Sequence, residues 1–213
     1  MNIFDFIINE FNEDSVIFEI GCHMGLDTVK IKELIGTKDY HCFECDPRNI
    51  DIIKSQNLGV ILNDFAVSDK DGEIEFYLST GKPPVIFDEL ILNQNDWTAS
   101  SSTKKPKKHL EVTPWCGFME PILVKSKRID TYCSSIELDN IDFVWMDVQG
   151  AELEVLSGFG DMLQKTKYIY TEYSDDELYE GGAVSKQNIL DTLGKNWTII
   201  YDFGNDVLLK NNN

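Results

Sequence analysis

Three acidic residues lie at or near the carboxyl ends of predicted strands, where a carboxylate can bind a ligand or transfer a proton. Glu44 ends the second predicted strand, Asp147 ends the apolar run IDFVWMD, and Glu172 lies near the end of the run KYIYTEY. Open α/β sheets hold their active sites at the carboxyl ends of their strands. If Asp147 and Glu172 are neighbours, the pKa of one of them rises, or the two bind a divalent metal. The sequence therefore predicts an acidic site along this edge of the sheet.

The stretch 16–28 (VIFEIGCHMGLDT) has the pattern that positions a nucleotide. Its first residues are mostly apolar and stop at Gly21, as in a buried parallel strand that enters a tight turn. Gly25 follows, and apolar residues then recur at helical spacing until Gly36. Strand, glycine turn and helix together predict a nucleotide-binding turn.

The turn favours a positively charged cofactor over a dinucleotide. It reads G-x-x-x-G rather than G-x-G-x-x-G, and it carries Glu19 and Asp27 but no Lys or Arg. S-adenosylmethionine, with its sulfonium and ammonium groups, suits such a turn. Glu44 can accept hydrogen bonds from ribose hydroxyls, at a spacing that fits either adenosine cofactor. The predicted cofactor-binding residues are Glu19, Gly21, Cys22, His23, Gly25, Glu44, Cys45, Asp64, Phe65, Ala66 and Asp147.

The order of the predicted elements indicates one α/β domain, residues 1–213, built on a doubly wound, mostly parallel sheet. A closing antiparallel hairpin follows the last helix, and an irregular insertion occupies about residues 79–120. Asp64 follows the third strand, where it either bonds the adenine amine or is a solvated turn residue. Predicted strands cover residues 16–20, 40–45, 59–62, 73–78, 121–126, 141–147, 167–173, 197–203 and 207–210, and predicted helices cover residues 2–11, 28–35, 47–56, 128–136, 151–163 and 185–193.

The composition argues against several classes of function. With 37 acidic against 19 basic residues and a net charge of −18, the surface repels nucleic acids and anionic membranes. No apolar run approaches the length that spans a bilayer. Five cysteines and no apolar leader predict a reducing, cytoplasmic location. Cys42 and Cys45 form a lone C-x-x-C, which we interpret as structural thiols rather than a zinc site.

Residues 143–158 (FVWMDVQGAELEVLSG) resemble the FkbM family of S-adenosylmethionine-dependent methyltransferases. The resemblance runs from about residue 16 to residue 210 and includes SKRIDTY at 126–132 and the serines at 100–102. The sequence departs from the family pattern at Gln149, where Glu is usual, and at His23, where Asn is usual. The matching residues are Asp147, Gly150, Ala151, Glu152, Leu156 and Gly158.

The resemblance implies a Rossmann-like class I methyltransferase fold. Such a fold has a mostly parallel seven-stranded sheet, a C-terminal antiparallel hairpin and helices on both faces. The resemblance also implies S-adenosyl-L-methionine as the donor and O-methylation of a sugar or other natural-product hydroxyl. Glycan-modifying members act on deoxyhexoses such as rhamnose or fucose, so the expected partner is a sugar or glycan acceptor. No oligomeric state is predicted.

A sugar hydroxyl needs a base that takes its proton as the oxygen attacks. The first candidate is Asp147, followed by Glu172 and then His23. Asp147 can instead cap the helix that begins at residue 151, or bind the ammonium group of the cofactor. A divalent metal is not favoured, because the other nearby acids look like loop residues. The predicted substrate-binding residues are Gln149, Glu152, Ser101, Ser102 and Tyr173.

Two other classes of function compete with methyl transfer. A dinucleotide-dependent oxidoreductase has the same type of sheet, but the missing third glycine and the absence of a phosphate-binding Arg count against it. A catalytically silent domain of a larger glycan-building polypeptide would bind the cofactor without turnover.

Overall fold

The structure, a computed structural model, describes residues 2–83 and 96–213. Part of the predicted insertion, residues 84–95, lies outside the described residues. The strands are β1 (Ile17–Ile20), β2 (Tyr40–Phe43), β3 (Ile61–Asn63), β4 (Ala66–Val67), β5 (Gly72–Phe76), β6 (Ser79–Gly81), β7 (Cys116–Phe118), β8 (Ile122–Lys127), β9 (Ile141–Met146), β10 (Thr166–Glu172), β11 (Trp197–Asp202) and β12 (Asp206–Asn211).

The helices begin near their predicted positions, except for the short helix His109–Val112, which the sequence did not predict. They are α1 (Ile3–Glu10), α2 (Leu26–Ile35), α3 (Pro47–Gln56), α4 (His109–Val112), α5 (Ile129–Ser135), α6 (Glu152–Gly158) and α7 (Lys186–Leu193). Asp46 caps α3 by accepting the Arg48 N–H, and Pro47 takes the first helical position, where its missing N–H costs nothing. None of the helices within the described residues is long and apolar enough to cross a membrane.

The main sheet has seven strands in the order β11-β12-β10-β9-β1-β2-β3. Strands β3, β2, β1, β9 and β10 run parallel, and β12 runs antiparallel to both β10 and β11. From β1 the chain adds β2 and β3 on one side of the sheet, and it later adds β9 and β10 on the other side. The strand order therefore reverses between β1 and β9, and such sheets bind ligands at the carboxyl ends of the strands at this switch point. The predicted parallel sheet and its C-terminal hairpin are confirmed.

Apolar side chains pack on both faces of this sheet. On one face, Phe18 and Val144 belong to a cluster with residues of α5, α6 and α7. On the other face, Ile17 and Phe143 belong to a cluster with residues of α1, α2 and α3. Successive residues of a strand point to opposite faces, so β1 and β9 supply both clusters. The predicted helical cover on both faces is confirmed.

The predicted helix over residues 151–163 is wrong in its length. Helix α6 stops at Gly158, and residues Gly160–Lys165 form a separate 3-10 helix. A Cβ atom at Gly158 would lie 2.1 Å from the Ser68 carbonyl oxygen, so the backbone of α6 packs directly on the turn after β4. Gly160 then adopts a φ of +51°, outside the right-handed helical region, and interrupts the helix where the apolar spacing predicted continuation.

Gly21 sets the distance between the ends of β1 and β9. Its φ is +83°, and a Cβ atom there would lie 1.9 Å from the Asp147 carbonyl oxygen. No side chain fits at that distance, and the left-handed conformation disfavours any residue other than glycine. The turn after β1 is therefore packed backbone to backbone against the turn after β9.

We predict that Gly21→Ala destabilises the protein far more than Gly36→Ala. Gly36 also has a positive φ, of 68°, but a Cβ atom there meets nothing within 4 Å. Gly36→Ala should cost about 1–2 kcal/mol of unfolding free energy from backbone strain alone. Gly21→Ala should cost about 3 kcal/mol or more, because the clash adds to the strain. Urea unfolding of both variants measures the difference, and equal losses would contradict the packing argument.

Candidate functional site

A cavity of about 260 Å³, here called the large cavity, lies at the carboxyl ends of β1, β2 and β9. Nine of the predicted cofactor-binding residues line it, namely Glu19, Gly21, Cys22, His23, Glu44, Cys45, Phe65, Ala66 and Asp147. The predicted Ser101 and Gln149 line it as well. Its other lining residues include Asp27, Asn49, Phe76, Thr98, Ala99, Thr103, Trp145, Val148 and Ala151.

Glu19 places a buried carboxyl group on this cavity. Its Oε2 accepts hydrogen bonds from Thr28 Oγ1 at 2.6 Å and from the Tyr40 hydroxyl at 2.7 Å. Burial raises the pKa of Glu19 to about 7, although these two hydrogen bonds act in the opposite direction. A positively charged ligand group beside Glu19 favours its ionised form.

Glu44 lies just beyond β2 with its carboxylate fixed by the backbone. Its Oε1 accepts the N–H groups of Cys45 at 2.8 Å and Asp46 at 2.7 Å. Burial raises the pKa of Glu44 to about 7, and the hydrogen bond from the Asp46 N–H lowers it in part. These bonds end the strand at Phe43 and hold the side chain on the cavity wall.

His23 is a neutral residue in the turn after β1. Its Nε2 lies 2.7 Å from Thr98 Oγ1, and the Thr98 hydroxyl donates to Asn49 Oδ1 at 2.9 Å. Because a hydroxyl has one proton to donate, the proton between His23 and Thr98 belongs to Nε2. Burial lowers the pKa of His23 to about 4. The imidazole is therefore uncharged near pH 7.

Gln149 joins the acidic residues at the ends of two neighbouring strands. Its Nε2 donates to Asp147 Oδ1 at 2.8 Å and to Glu172 Oε2 at 3.2 Å. The Tyr179 hydroxyl lies 3.2 Å from Gln149 Oε1, and Ser102 Oγ donates to the Gln149 carbonyl oxygen at 2.8 Å. The amide thus keeps the carboxyl groups of Asp147 and Glu172 next to each other.

The carboxyl groups at this edge raise one another's pKa values. Burial raises the pKa of Glu172 to about 8, and the charges of Asp147 and Glu152 act in the same direction. Burial likewise raises the pKa of Glu152 to about 7. Low-dielectric surroundings and the charges of Asp206 and Asp27 raise the pKa of Asp147, whose side chain is nevertheless exposed. Groups that exchange protons near neutral pH are therefore concentrated here.

A second cavity of about 40 Å³, here called the small cavity, shares Gln149 with the large one. The predicted residues Glu152, Glu172 and Tyr173 line it, so Glu172 faces a different cavity from Asp147. Its other lining residues are Gly150, Ser174, Asp176, Leu178, Tyr179, Gly182 and Val184.

Comparison with known proteins identifies the family. The family model of the methyltransferase FkbM domain matches residues 20–204, most of the chain. The chain belongs to the FkbM methyltransferase family. It is also 39% identical over 206 residues to the 2-O-methyltransferase NoeI of Sinorhizobium fredii, across 93% of this chain and 80% of that protein. This FkbM protein is a S-adenosylmethionine-dependent O-methyltransferase, so the alternative of a dinucleotide-dependent oxidoreductase is wrong.

A solved FkbM methyltransferase, from Methylobacillus flagellatus, has the same fold. Its TM-score to this chain is 0.52 at 15% sequence identity, and the match covers 94% of this chain. This chain spans 44% of the length of that solved protein. At this identity the likeness concerns the fold alone, and it agrees with the class I methyltransferase sheet described above.

The large cavity of this FkbM protein fits the cationic donor. The charged side chains that line it are the carboxyl groups of Glu19, Asp27, Glu44 and Asp147, and His23 is neutral. Within residues 2–83 and 96–213, no group of three or more His, Cys, Asp or Glu side chains is arranged to hold a metal ion.

Three residues predicted for the site do not line the cavities. Gly25 precedes α2 in a left-handed conformation with Leu58 against it, so it shapes the turn. Asp64 is exposed, as expected for the alternative of a solvated turn residue. Ser102 is buried, and its hydroxyl accepts the Lys104 N–H as well as donating to Gln149. Ser102 therefore supports the turn after β9.

Two predicted roles are changed by local hydrogen bonding. Asp147 does not cap α6, whose N-cap is Ala151 without a side-chain bond. Glu152 is 2% exposed, and its Oε1 accepts the N–H groups of Val148 and Gly150 at 3.3 Å each. Its carboxyl group thus stabilises the turn after β9 while lining the small cavity.

Several residues of the cavities escaped sequence reasoning. Thr98, Ala99 and Thr103 come from the insertion, and Tyr179 comes from a loop after β10. They reach the site through contacts between distant parts of the sequence, such as the bond from the Tyr179 hydroxyl to the Ser100 carbonyl oxygen at 2.9 Å. The only sequence signal was the run of serines in the insertion.

The lysines at residues 104–108 form ion pairs. Lys104 pairs with Glu154, Lys107 with Glu177, Lys108 with Asp176 at 2.5 Å, and Lys105 with Glu180 at 3.3 Å. These pairs attach the insertion to α6 and to residues 176–180. The lysine cluster is accordingly a connection between two segments rather than an anion site.

We predict that Glu172→Gln stabilises the protein increasingly as the pH rises. The pKa of Glu172 is raised from 4.5 to about 8, so the folded state favours the protonated form. The contribution of protonated Glu172 to the free energy of unfolding is fully present below pH 4.5 and is lost as the pH rises to about 8. Glutamine stays uncharged over this window. Urea unfolding at pH 5 and pH 8 measures the difference in unfolding free energy between each variant and the native protein. This difference should grow with pH for Glu172→Gln but not for the control, Glu13→Gln at an exposed position. A constant difference for Glu172→Gln would contradict the assignment.

Proposed function

We propose that this methyltransferase acts on a sugar hydroxyl, that of a deoxyhexose of the fucose or rhamnose type in a glycan. The observation that carries the proposal is the 39% identity to a 2-O-methyltransferase across 93% of this chain. Because that relative is named a 2-O-methyltransferase, we propose that the methyl group goes to the 2-oxygen of the sugar here as well. Tyr173 and the carboxyl groups of the small cavity support a sugar, because carboxylates accept hydroxyl hydrogen bonds and aromatic rings pack on apolar ring faces.

The donor would be held by the acidic wall of the large cavity. When bound, S-adenosylmethionine supplies a methyl group on a sulfonium. Glu44 accepts the ribose hydroxyls, Phe65 and Ala66 flank the adenine, and Glu19 faces the positive charge. These four roles are supported by the position of the four residues, which all line one cavity at the switch point of the sheet.

Asp147 would take the proton of the acceptor hydroxyl. The acceptor oxygen gains the methyl group, the sulfur keeps the electron pair of the broken bond, and the hydroxyl proton passes to the carboxylate. A base works best when its pKa lies near the working pH, and the pKa of Asp147 is raised. Glu172, held by the same amide, is the second candidate. His23, with a pKa of about 4, is the weakest base of the three.

Three further predictions from the sequence stay proposals. All five cysteines are free thiols, which supports a reducing cytoplasmic location. The apolar clusters combine strands from both ends of the sequence, which supports a single domain over residues 1–213. The net charge of −18 supports an acceptor other than nucleic acid.

Incubation with labelled methyl donor and a panel of deoxyhexose glycosides tests the proposed acceptor. We expect label on one ring oxygen of a deoxyhexose, identified as the 2-oxygen by fragmentation of the product. Transfer of the labelled methyl group only to non-sugar hydroxyls would contradict the proposed sugar acceptor. Donor binding without transfer to any acceptor would favour the silent cofactor-binding domain.

We predict that Glu44→Ala weakens donor binding about tenfold, the effect of losing a charge-assisted hydrogen bond. Calorimetry with S-adenosylmethionine measures the change, and Glu33→Ala, at an exposed position of α2, is the control. Thermal unfolding of both variants checks that the fold is kept. Unchanged affinity in folded Glu44→Ala would remove Glu44 from the ribose site.

We predict that Asp147→Asn lowers kcat by about 10²- to 10⁴-fold, the usual contribution of a general base. Asparagine still accepts the Gln149 amide, so the geometry of the turn should survive. The dissociation constant of the donor separates the two roles of Asp147, because loss of an ammonium partner would raise it and loss of a base would not. Exposed Asp161→Asn is the control. Full activity of Asp147→Asn would remove it as the base.

A further inference from the structure

The small cavity is placed to receive the acceptor. It meets the large cavity at Gln149, whose amide holds both Asp147 and Glu172. A hydroxyl bound at Glu172 would lie beside the same Gln149 amide that holds Asp147 on the large cavity. The small volume suits the edge of a ring that carries one reacting hydroxyl, with the rest of the acceptor outside.

The titratable carboxyl side chains on this route outnumber any other ionisable group. Glu152, Glu172 and Asp176 line the small cavity, and the charged lining of the large cavity consists of carboxyl groups as well. Within the described parts of the chain, no Lys or Arg side chain lines either cavity. The raised pKa of Glu172 has the charges of Asp147 and Glu152 among its causes, so further negative charge is disfavoured there.

The basic residues next to these cavities are already paired. Lys107 and Lys108 lie against residues of the small cavity, but they bind Glu177 and Asp176. Arg48, near the large cavity, binds Asp46 through Nε at 2.9 Å and Nη2 at 2.6 Å. A phosphate group on the acceptor would therefore meet carboxyl groups inside the cavities, while the lysines around the small cavity, including Lys186 over the Tyr173 ring, are engaged in ion pairs.

We propose that the small cavity selects an uncharged acceptor and rejects phosphorylated or nucleotide-activated sugars. This inference rests on the proposed function and adds a position in a reaction sequence. A glycosyl transfer that consumes the nucleotide-activated sugar must come first, and methylation acts on the neutral glycoside that it produces.

The test compares matched acceptors with the native enzyme. The methyl glycoside of a deoxyhexose, the 1-phosphate of the same sugar and its nucleoside diphosphate derivative are each assayed with labelled donor. A benzenediol and its monophosphate, which keeps one free phenolic hydroxyl, form a second, non-sugar pair. We expect kcat/KM for the methyl glycoside to exceed that for either phosphorylated form by about 100-fold. Equal or faster methylation of a phosphorylated form overturns the charge selection while leaving a sugar acceptor in place.

Other outcomes separate the inference from the function on which it rests. Turnover of the benzenediol but not of its monophosphate, without turnover of the methyl glycoside, supports charge selection and contradicts the sugar acceptor. If nothing is methylated, calorimetry in the presence of S-adenosylhomocysteine decides. Binding of the methyl glycoside but not the 1-phosphate supports the inference, binding of the 1-phosphate overturns it, and binding of neither overturns both proposals.

Asp176→Asn gives a second measurement. It removes one carboxylate from the small cavity and releases Lys108 from its ion pair. The kcat/KM of the 1-phosphate relative to the methyl glycoside should rise about tenfold. Neighbouring Asp175→Asn, exposed and outside both cavities, should leave the ratio unchanged. An unchanged ratio in Asp176→Asn, with the fold intact, would count against the role of these charges.

Discussion

The close approach of Gly21 to the Asp147 carbonyl oxygen is the constraint on which the site depends. Because no side chain separates them, the turn after β1 and the turn after β9 share one surface, and the donor wall meets the acidic edge directly. The apolar residues of β1 and β9 pack into clusters on both faces of the sheet, which keeps the two strand ends in register. A rigid sheet thus fixes the distance between groups that must meet during methyl transfer.

Gln149 carries an amide at the position where the resemblance to the family predicts a glutamate. An amide can donate to Asp147 and Glu172 at once, whereas a glutamate at this position would bring a third carboxyl group to them. Tyr179 and Ser102 hold the amide and its backbone from the other side. Two acids can therefore stay adjacent while one of them keeps a proton near neutral pH, which is how paired carboxyl groups serve proton transfer.

The sequence predicted what local rules control. The ends of β1 and β9 follow from apolar runs that stop at a glycine or an acid, and α3 follows from Asp46 and Pro47 at its start. It did not predict the split of the helix after residue 151, because the apolar spacing continues past Gly160, whose φ of +51° interrupts the helix. Thr98 and Tyr179 reach the site from segments without helical or strand periodicity, so no local pattern marked them. Side-chain placement on the cavity wall depends on such distant contacts, whereas the strand ends do not.

The ion pairs between residues 105–108 and residues 176–180 make part of the cavity wall sensitive to ionic strength. The paired side chains are largely exposed, so dissolved ions screen them, and each contributes at most about 1 kcal/mol. The backbone bonds from Lys107 to Leu178 and from Glu180 to Lys105 are not screened in this way. Added salt therefore weakens the attachment of the insertion while these backbone bonds stay in place, and the wall of the small cavity is held less tightly at high ionic strength.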